Sequence, residues 1–459
     1  MKLRHILTAV LLLSLVLPLL AEDWITIYND DLSLIRSSFS LDLKQGRQNY
    51  NYDDITSRIM PSSVIVKGTG LRVAEQNYEY DLAGKYQIMA KYLDKEVMAV
   101  MKDQSRLEGT LKFFDGSNVG IIESSTKRLL VIADSEVQWL QLASLPTNFY
   151  TKPTLAWSLI AEKGGKHPVM MTYLSGGFSW DVTYNAVWDG KKLDLNSWVT
   201  INNQSGKAFE DVNLKLIAGE INQIRNKYMG RGGAYEDAMM MDSIAGSAPS
   251  FEEKAFHDFH MYTLDQKVSF ANKQTKQLEL YPTQAVTAFA VYEFRTFGSG
   301  VQSLIKFMNT EAQGLGKPLP KGVIKVYKAD TDGNLEFIGE DSINHTSRNE
   351  EISITTGKAF DLVASSQVRN QKTISQRSSS REIHVNVKNN SLERKEINVV
   401  HQLSGNTKVS FAELRYGFDE LKNTVTFTVS LDPGKEQSFF FRELRSEERR
   451  VGKECRSRW

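Results

Sequence analysis

Seven histidines (His5, His167, His257, His260, His345, His384 and His401) are the residues of this 459-residue chain best suited to proton transfer or metal ligation. Their spacing gives none of the usual signatures. There is no HExxH pair, no GxSxG elbow and no phosphate loop, and Gly230-Arg231-Gly232-Gly233 lacks the third glycine and the helix of a dinucleotide fingerprint. A hydrolytic site would therefore have to be assembled from histidines and carboxylates that meet only in three dimensions, with His260, His345 and Asp361 the polar residues to test. A lone histidine beside a loop otherwise serves as a hydrogen-bonding group. No catalytic, cofactor-binding or metal-binding residue is assigned from motifs, and no cofactor is expected.

Met229 and the triplet Met239, Met240 and Met241 precede His257 and His260, and thioether with imidazole would suit monovalent copper. Three adjacent methionines cannot all face one ion on a regular element, and methionine is also common filler. Residues 228–251, rich in Gly, Ala and Met, have no periodic apolar face and read as a flexible loop. The oxygen-bearing string from Asp330 to Glu336 lacks full calcium-loop spacing, so Asp332-Gly333 reads as a hairpin turn. Trp157, Trp180, Trp188 and Trp198 read as sandwich core more than as a sugar platform.

The elements that must position these residues are strands. Residues 25–43 alternate apolar and polar side chains across a turn at Asn29–Asp31, where Asn and Asp bond their own backbone. Strand-length runs follow at 61–66, 167–174, 178–188, 198–201, 213–218, 276–281, 286–294, 322–327, 382–387, 397–403 and 424–431. No heptad, long amphipathic helix or internal repeat is apparent. Residues 91–145 hold five short strands joined by tight turns, which suits a small bent barrel similar to Sm-like or SH3-like domains. The expected fold is all-β: sandwich domains with a small five-stranded barrel inserted in the N-terminal half. The expected division is an N-terminal β domain over 22–90, the barrel over 91–145 and a sandwich region over 146–444.

Both ends differ from this body. Residues 1–21 have a basic head (Lys2, Arg4), an apolar run and Ala21 before Glu22-Asp23, the pattern of an export signal cleaved near Ala21. The run is shorter than the roughly 20 residues of a comfortable membrane span, so no stable membrane insertion is expected after cleavage. Residues 445–459, RSEERRVGKECRSRW, match a sequencing-adapter translation and are expected to be an artefact tail outside the fold. Of 56 basic and 55 acidic residues, the tail holds six and three and the leader two basic ones, so the remaining 48 and 52 give a net charge of −4. The one cysteine, Cys455, also lies in the tail, which leaves the body without disulfides or thiolate chemistry. A mildly acidic body has no overall attraction for nucleic acid.

Several strings together resemble exported proteins of domain-of-unknown-function family 4139: IYNDDLSLI (27–35), RIMPSSV (58–64), TYLSGGFSWDVTYNAV (172–187), WVTINNQSG (198–206) and LKLIAGEIN (214–222). FHMYTLDQKVSFANKQTKQLEL (259–280), EAQGLGKPLPKGVIKVYKADTDGNLEFIGEDSINHT (311–346) and GKAFDL (357–362) continue the likeness in order. Larger relatives, similar to mucoidy-inhibitor proteins, carry a coiled coil where this chain has its small five-stranded module. The resemblance implies a β-rich exported protein and supplies no catalytic residues. The expected role is non-enzymatic binding or scaffolding in the bacterial cell envelope, in the periplasm or outside the cell, with an envelope protein or surface polymer as partner. An envelope hydrolase and a copper-binding methionine loop are the alternatives.

Overall fold

The computed structural model describes residues 22–29, 31–80, 85–143, 150–219, 221–222, 250–376 and 378–446. Met229 and Met239–Met241, the leader and residues 447–459 lie outside the described residues. The fold is all-β, and among the described residues the only α-helix is the short Lys85–Lys91. The chain divides into two compact units. One comprises Met1–Trp180, Ile201–Ile217 and Met261–Lys276; the other comprises Asp181–Thr200, Ala218–His260 and Gln277–Trp459.

In the first unit, strand Trp24–Tyr28 pairs antiparallel with Ser33–Leu43, with Ile25 opposite Ile35. The intervening turn closes through the Tyr28 amide, which donates to the Leu32 carbonyl at 2.9 Å. Asp31 takes the left-handed φ of 47° that this residue type tolerates better than most. Ile25, Ile27 and Ile35 are fully buried, and each such side chain contributes about 1.5–3 kcal/mol when removed from water. The hairpin enters a sheet ordered Phe209–Ala218, Trp24–Tyr28, Ser33–Leu43, Gly165–Ser175 and Ile65–Gly68, the first pair being parallel. Strand Thr154–Ala161 lies between Gly46–Tyr52 and Leu71–Glu79 in a separate three-stranded sheet.

The run at 61–66 is not one strand. Pro61–Ser63 forms a 3-10 turn and the strand begins at Ile65. Proline has no amide to give a ladder, and the Ser63 hydroxyl bonds back to the Met60 carbonyl at 2.6 Å. The same hydroxyl oxygen accepts the Leu174 amide at 2.8 Å, tying the turn to strand Gly165–Ser175.

The segments around Asp31, Arg58, Gly177 and Ser205 converge at one junction in this unit. The Asp31 carboxylate accepts from Arg58 Nη2 at 2.7 Å and from the Gly177 amide at 2.7 Å. The Ser57 amide donates to the Ser205 carbonyl at 2.7 Å, and the Gln204 amide to Gly177 at 2.6 Å. Gly177 has φ 92° and a β-carbon there would press into the Ser205 backbone at 2.5 Å, so no other residue fits.

The five strands expected between 91 and 145 are present, in the order Val137–Leu142, Glu96–Met101, Arg106–Phe114, Asn118–Glu123 and Leu129–Ala133. Helix Lys85–Lys91 and the tyrosine after it contribute Met89 and Tyr92 to their core of Val97, Leu111, Val119 and Ile121. Among the described residues no ladder joins Leu129–Ala133 to Val137–Leu142, so pairing does not close the sheet into a barrel.

The second unit ends in a two-sheet sandwich. One sheet runs Glu351–Lys358, Gln302–Met308, Phe289–Arg295, Lys395–Gln402, Thr424–Leu431 and Gly417–Asp419; the other runs Leu362–Ser375, Ser378–Asn389, Glu436–Ser446 and Thr407–Ala412. Phe294, Ile397, Val399 and Phe427 from the first pack with Ile383, Val385, Phe439 and Phe441 from the second. The last strand extends through Arg445 and Ser446, opposite Ser379 and Ser378, because backbone pairing accepts almost any side chain at a sheet end.

One turn is built twice, although no repeat is apparent in the sequence. Asn203, fully buried, donates to the Lys207 and Ala271 carbonyls at 2.8 and 3.0 Å and accepts the Ser205 amide at 3.1 Å. Asn389, also fully buried, donates to Glu393 and Leu431 at 2.8 and 3.0 Å and accepts the Ser391 amide at 2.9 Å. In both, Asn-x-Ser replaces missing ladder bonds where the chain leaves a strand. Asp330 performs a similar task in the expected Asp332-Gly333 hairpin, accepting the Asp332 and Asn334 amides at 2.8 and 3.1 Å.

Candidate functional site

The most chemically capable cluster lies at one end of the C-terminal sandwich. Alternation along Lys395–Gln402 sends Ile397, Val399 and then His401 into the interior, where His401 is 1% exposed. A buried imidazole needs partners for both ring nitrogens. Nε2 meets Glu443 Oε2 at 2.8 Å, and Nδ1 meets the Thr296 hydroxyl at 2.6 Å. Glu443 also accepts from Arg381, which faces it across the ladder between Ser378–Asn389 and Glu436–Ser446. A carboxylate bonded to a guanidinium acts as an acceptor, which assigns the imidazole hydrogen to Nε2. Nδ1 then accepts the Thr296 O–H.

Burial, reinforced by the nearby Arg381 charge, holds His401 down at about 4, so the ring is neutral at pH 7. A neutral imidazole that accepts from a hydroxyl and donates to a carboxylate can act as a base toward that hydroxyl. The adjacent amides are otherwise engaged: Phe297 N donates to the Ser366 hydroxyl at 2.8 Å, and Gly298 N to the Arg295 carbonyl at 2.8 Å. Of the groups beside Thr296, the Arg381 guanidinium is therefore the donor best suited to meet a developing oxyanion.

Thr296, His401 and Arg381 open onto a cavity of about 840 Å³. Its floor is the outward face of the six-stranded sheet, with Asn398, Thr424 and Thr426 on alternate positions of paired strands. Phe297, 52% exposed, stands at the same cavity beneath the Arg381 guanidinium, 5.7 Å from the ring centre. The charged lining is largely paired: Arg295 with Glu293 at 2.9 Å, Lys306 with Glu351 at 3.3 Å, and Lys422 with Asp419 at 3.9 Å.

One rung along the ladder a second ion pair, with acid and base exchanged between the strands, lies on the opposite face. Glu382 accepts from Arg442 at 2.8 Å, from His384 at 2.7 Å and from Asn370 at 3.0 Å. The Arg442 bond first, and the His384 bond second, bring its carboxyl down to about 2. His384 stacks on Phe440 at 5.1 Å, and Phe440 on Phe411 at 5.3 Å.

The residues singled out by sequence lie elsewhere. His260 Nδ1 pairs with Glu253 at 2.8 Å, and Arg348 reaches the same carboxylate at 3.3 Å. His345 is exposed and accepts the Lys321 amide at 3.2 Å. Asp361 is exposed, and its carbonyl accepts the Asn390 amide at 2.8 Å. None of the three lines the cavity. Among the described residues no three His, Cys, Asp or Glu side chains are placed to hold a metal ion. Trp157, Trp180 and Trp188 are buried, and Trp198 is half-buried. His401 was findable only as a histidine at an inward position of INVVHQ; Thr296 and Glu443 carry no local signal.

No family model and no curated protein matches the chain. Among solved structures, Escherichia coli alpha-2-macroglobulin activated by porcine elastase aligns at 8% identity over 90% of this chain and 43% of that one, with a TM-score of 0.13. The chain thus spans less than half of that protein, and a likeness at this TM-score carries no argument about fold or function.

Proposed function

We propose that this chain is an exported β-protein of the bacterial cell envelope that binds or scaffolds an envelope protein or surface polymer. The observation that supports this reading is the polar cavity of about 840 Å³ beside Phe297, whose charged lining is already internally paired. Paired charges with hydroxyl and amide side chains around an exposed ring suit recognition of a polar surface at little desolvation cost. Among the described residues no helix is long and apolar enough to cross a membrane. The test is retention of purified envelope polymers and proteins by the intact chain and by Phe297→Ala. Retention lost in the variant supports the cavity; equal retention by both removes it. Fractionation of cells expressing the native chain tests export, and recovery solely in the cytoplasm would defeat that part.

The Thr296–His401–Glu443 chain favours a second reading, an envelope hydrolase acting on an ester or other activated acyl group. Thr296 Oγ1 would attack the acyl carbon as His401 Nδ1 takes its proton, and the leaving alcohol would then receive that proton. Water repeats the sequence to release the acid. Turnover of p-nitrophenyl acetate that disappears in Thr296→Ala and His401→Gln supports this reading. Turnover unchanged by either substitution ends it.

A further inference from the structure

A second cleft, of about 300 Å³, lies within the first unit and has a different character. Asp23, Asp54, Glu210 and Asp211 line it, against a single lining cation, Lys267. Lys207 neutralises part of this charge by pairing with Asp54 at 2.6 Å, which leaves two negative charges in excess. Clustered carboxylates alone do not make a site, but one further feature points to a ligand. Ser37 lines the same cleft, is 3% exposed, and its hydroxyl has no hydrogen-bond partner. An unpartnered buried hydroxyl is costly, on the order of 1–3 kcal/mol, unless something outside the chain completes it. The cleft wall also carries Phe39 and Tyr52, whose rings stack at 4.5 Å, and Tyr52 stacks in turn on Trp157 at 5.5 Å, so these rings serve the wall itself.

We propose that this cleft binds an organic ammonium group, either of a small diamine or of a lysine-like side chain. The carboxylates supply charge and the Ser37 hydroxyl accepts an N–H. A metal ion fits less well, because among the described residues no three carboxylates or imidazoles converge on one point. The volume sits at the lower end of small-molecule sites, roughly 300–1,000 Å³, which suits a short alkyl amine. Burial, then Asp54, push the Tyr52 phenol upward, so the ring stays neutral beside the carboxylates. Lys267 is the internal competitor for the same charges, and Lys267→Ala should tighten binding.

Calorimetric titration of the full chain with butane-1,4-diamine, with Nα-acetyl-lysine methylamide and with butane-1,4-diol tests the proposal. Binding by either amine, weakened by salt and absent for the diol, is the expected result, and the better amine identifies the ligand source. The Asp23→Asn, Glu210→Gln double variant should lose about tenfold or more in affinity, and Ser37→Ala several-fold. Unfolding temperatures of the variants separate lost charge from lost fold. Equal binding of the diol, no binding of either amine at millimolar concentration, or full affinity in a stably folded double variant would overturn it.

Discussion

Arg381 and Glu443 stand directly opposite one another across a ladder in the C-terminal sandwich, one rung from the reversed pair Glu382 and Arg442. Because strand side chains alternate, the two ion pairs face opposite sides of one sheet. Arg381–Glu443 turns inward to His401, whereas Glu382–Arg442 turns outward to His384 and Asn370. One four-residue stretch, Arg381-Glu382-Ile383-His384, thus serves the core and two separate polar clusters.

Glu443→Leu should destabilise the protein by about 2–4 kcal/mol, since it strands the buried Nε2–H of His401. Urea denaturation measures this. A change below about 0.5 kcal/mol would mean that water or another group replaces the carboxylate at no cost.

The pH dependence separates the two faces. His401 is held below its ordinary 6.5, at about 4, so the unfolded chain takes up the proton first as pH falls. Its contribution is complete above about pH 6.5 and is lost on the way down to about 4, on the order of 2–3 kcal/mol. In His401→Gln the slope over that window should flatten. Glu382, lowered from 4.5 to about 2, contributes above pH 4.5 and loses that contribution between 4.5 and 2. Glu382→Gln should therefore change the profile only in the more acidic window, and a common window for both variants would contradict this division.

Asn203→Ala and Asn389→Ala should each cost about 2–3 kcal/mol, because each removes two hydrogen bonds to carbonyls and the acceptor of a serine amide. The two sites share no partners, so the double variant should be additive within about 0.5 kcal/mol. Strong non-additivity in chemical denaturation would show that the turns are coupled.

Asp31→Ala should cost about 1–3 kcal/mol, since the carboxylate joins Arg58 and the Gly177 amide as well as shaping the first turn. Gly177→Ala should be worse, because its φ of 92° and contact with the Ser205 backbone leave no room for a β-carbon. Thermal unfolding ranks the two; the reverse order would show that charge outweighs backbone fit at this junction.

Local alternation made much of the fold readable in advance. Glu96–Met101, Asn118–Glu123, Phe178–Trp188 and Thr424–Leu431 lie where the pattern of apolar residues sets them. The reading failed at Pro61–Ser63, where a proline and a back-bonding serine override an apolar run. Closure of the five-stranded module was equally out of reach, because it depends on whether two end strands meet.

The sequence by itself determined an all-β chain, its hairpin turns and its inward-facing residues, since strand period and turn chemistry act over a few neighbouring residues. Tertiary structure alone decided which polar residues meet. Thr296 and Glu443 reach the ring of His401 from two other segments, and Asp31 reaches Gly177 across 146 residues of chain. The cleft between Ser37 and Glu210 has the same origin. Such meetings depend on sheet order and register, which no local spacing encodes.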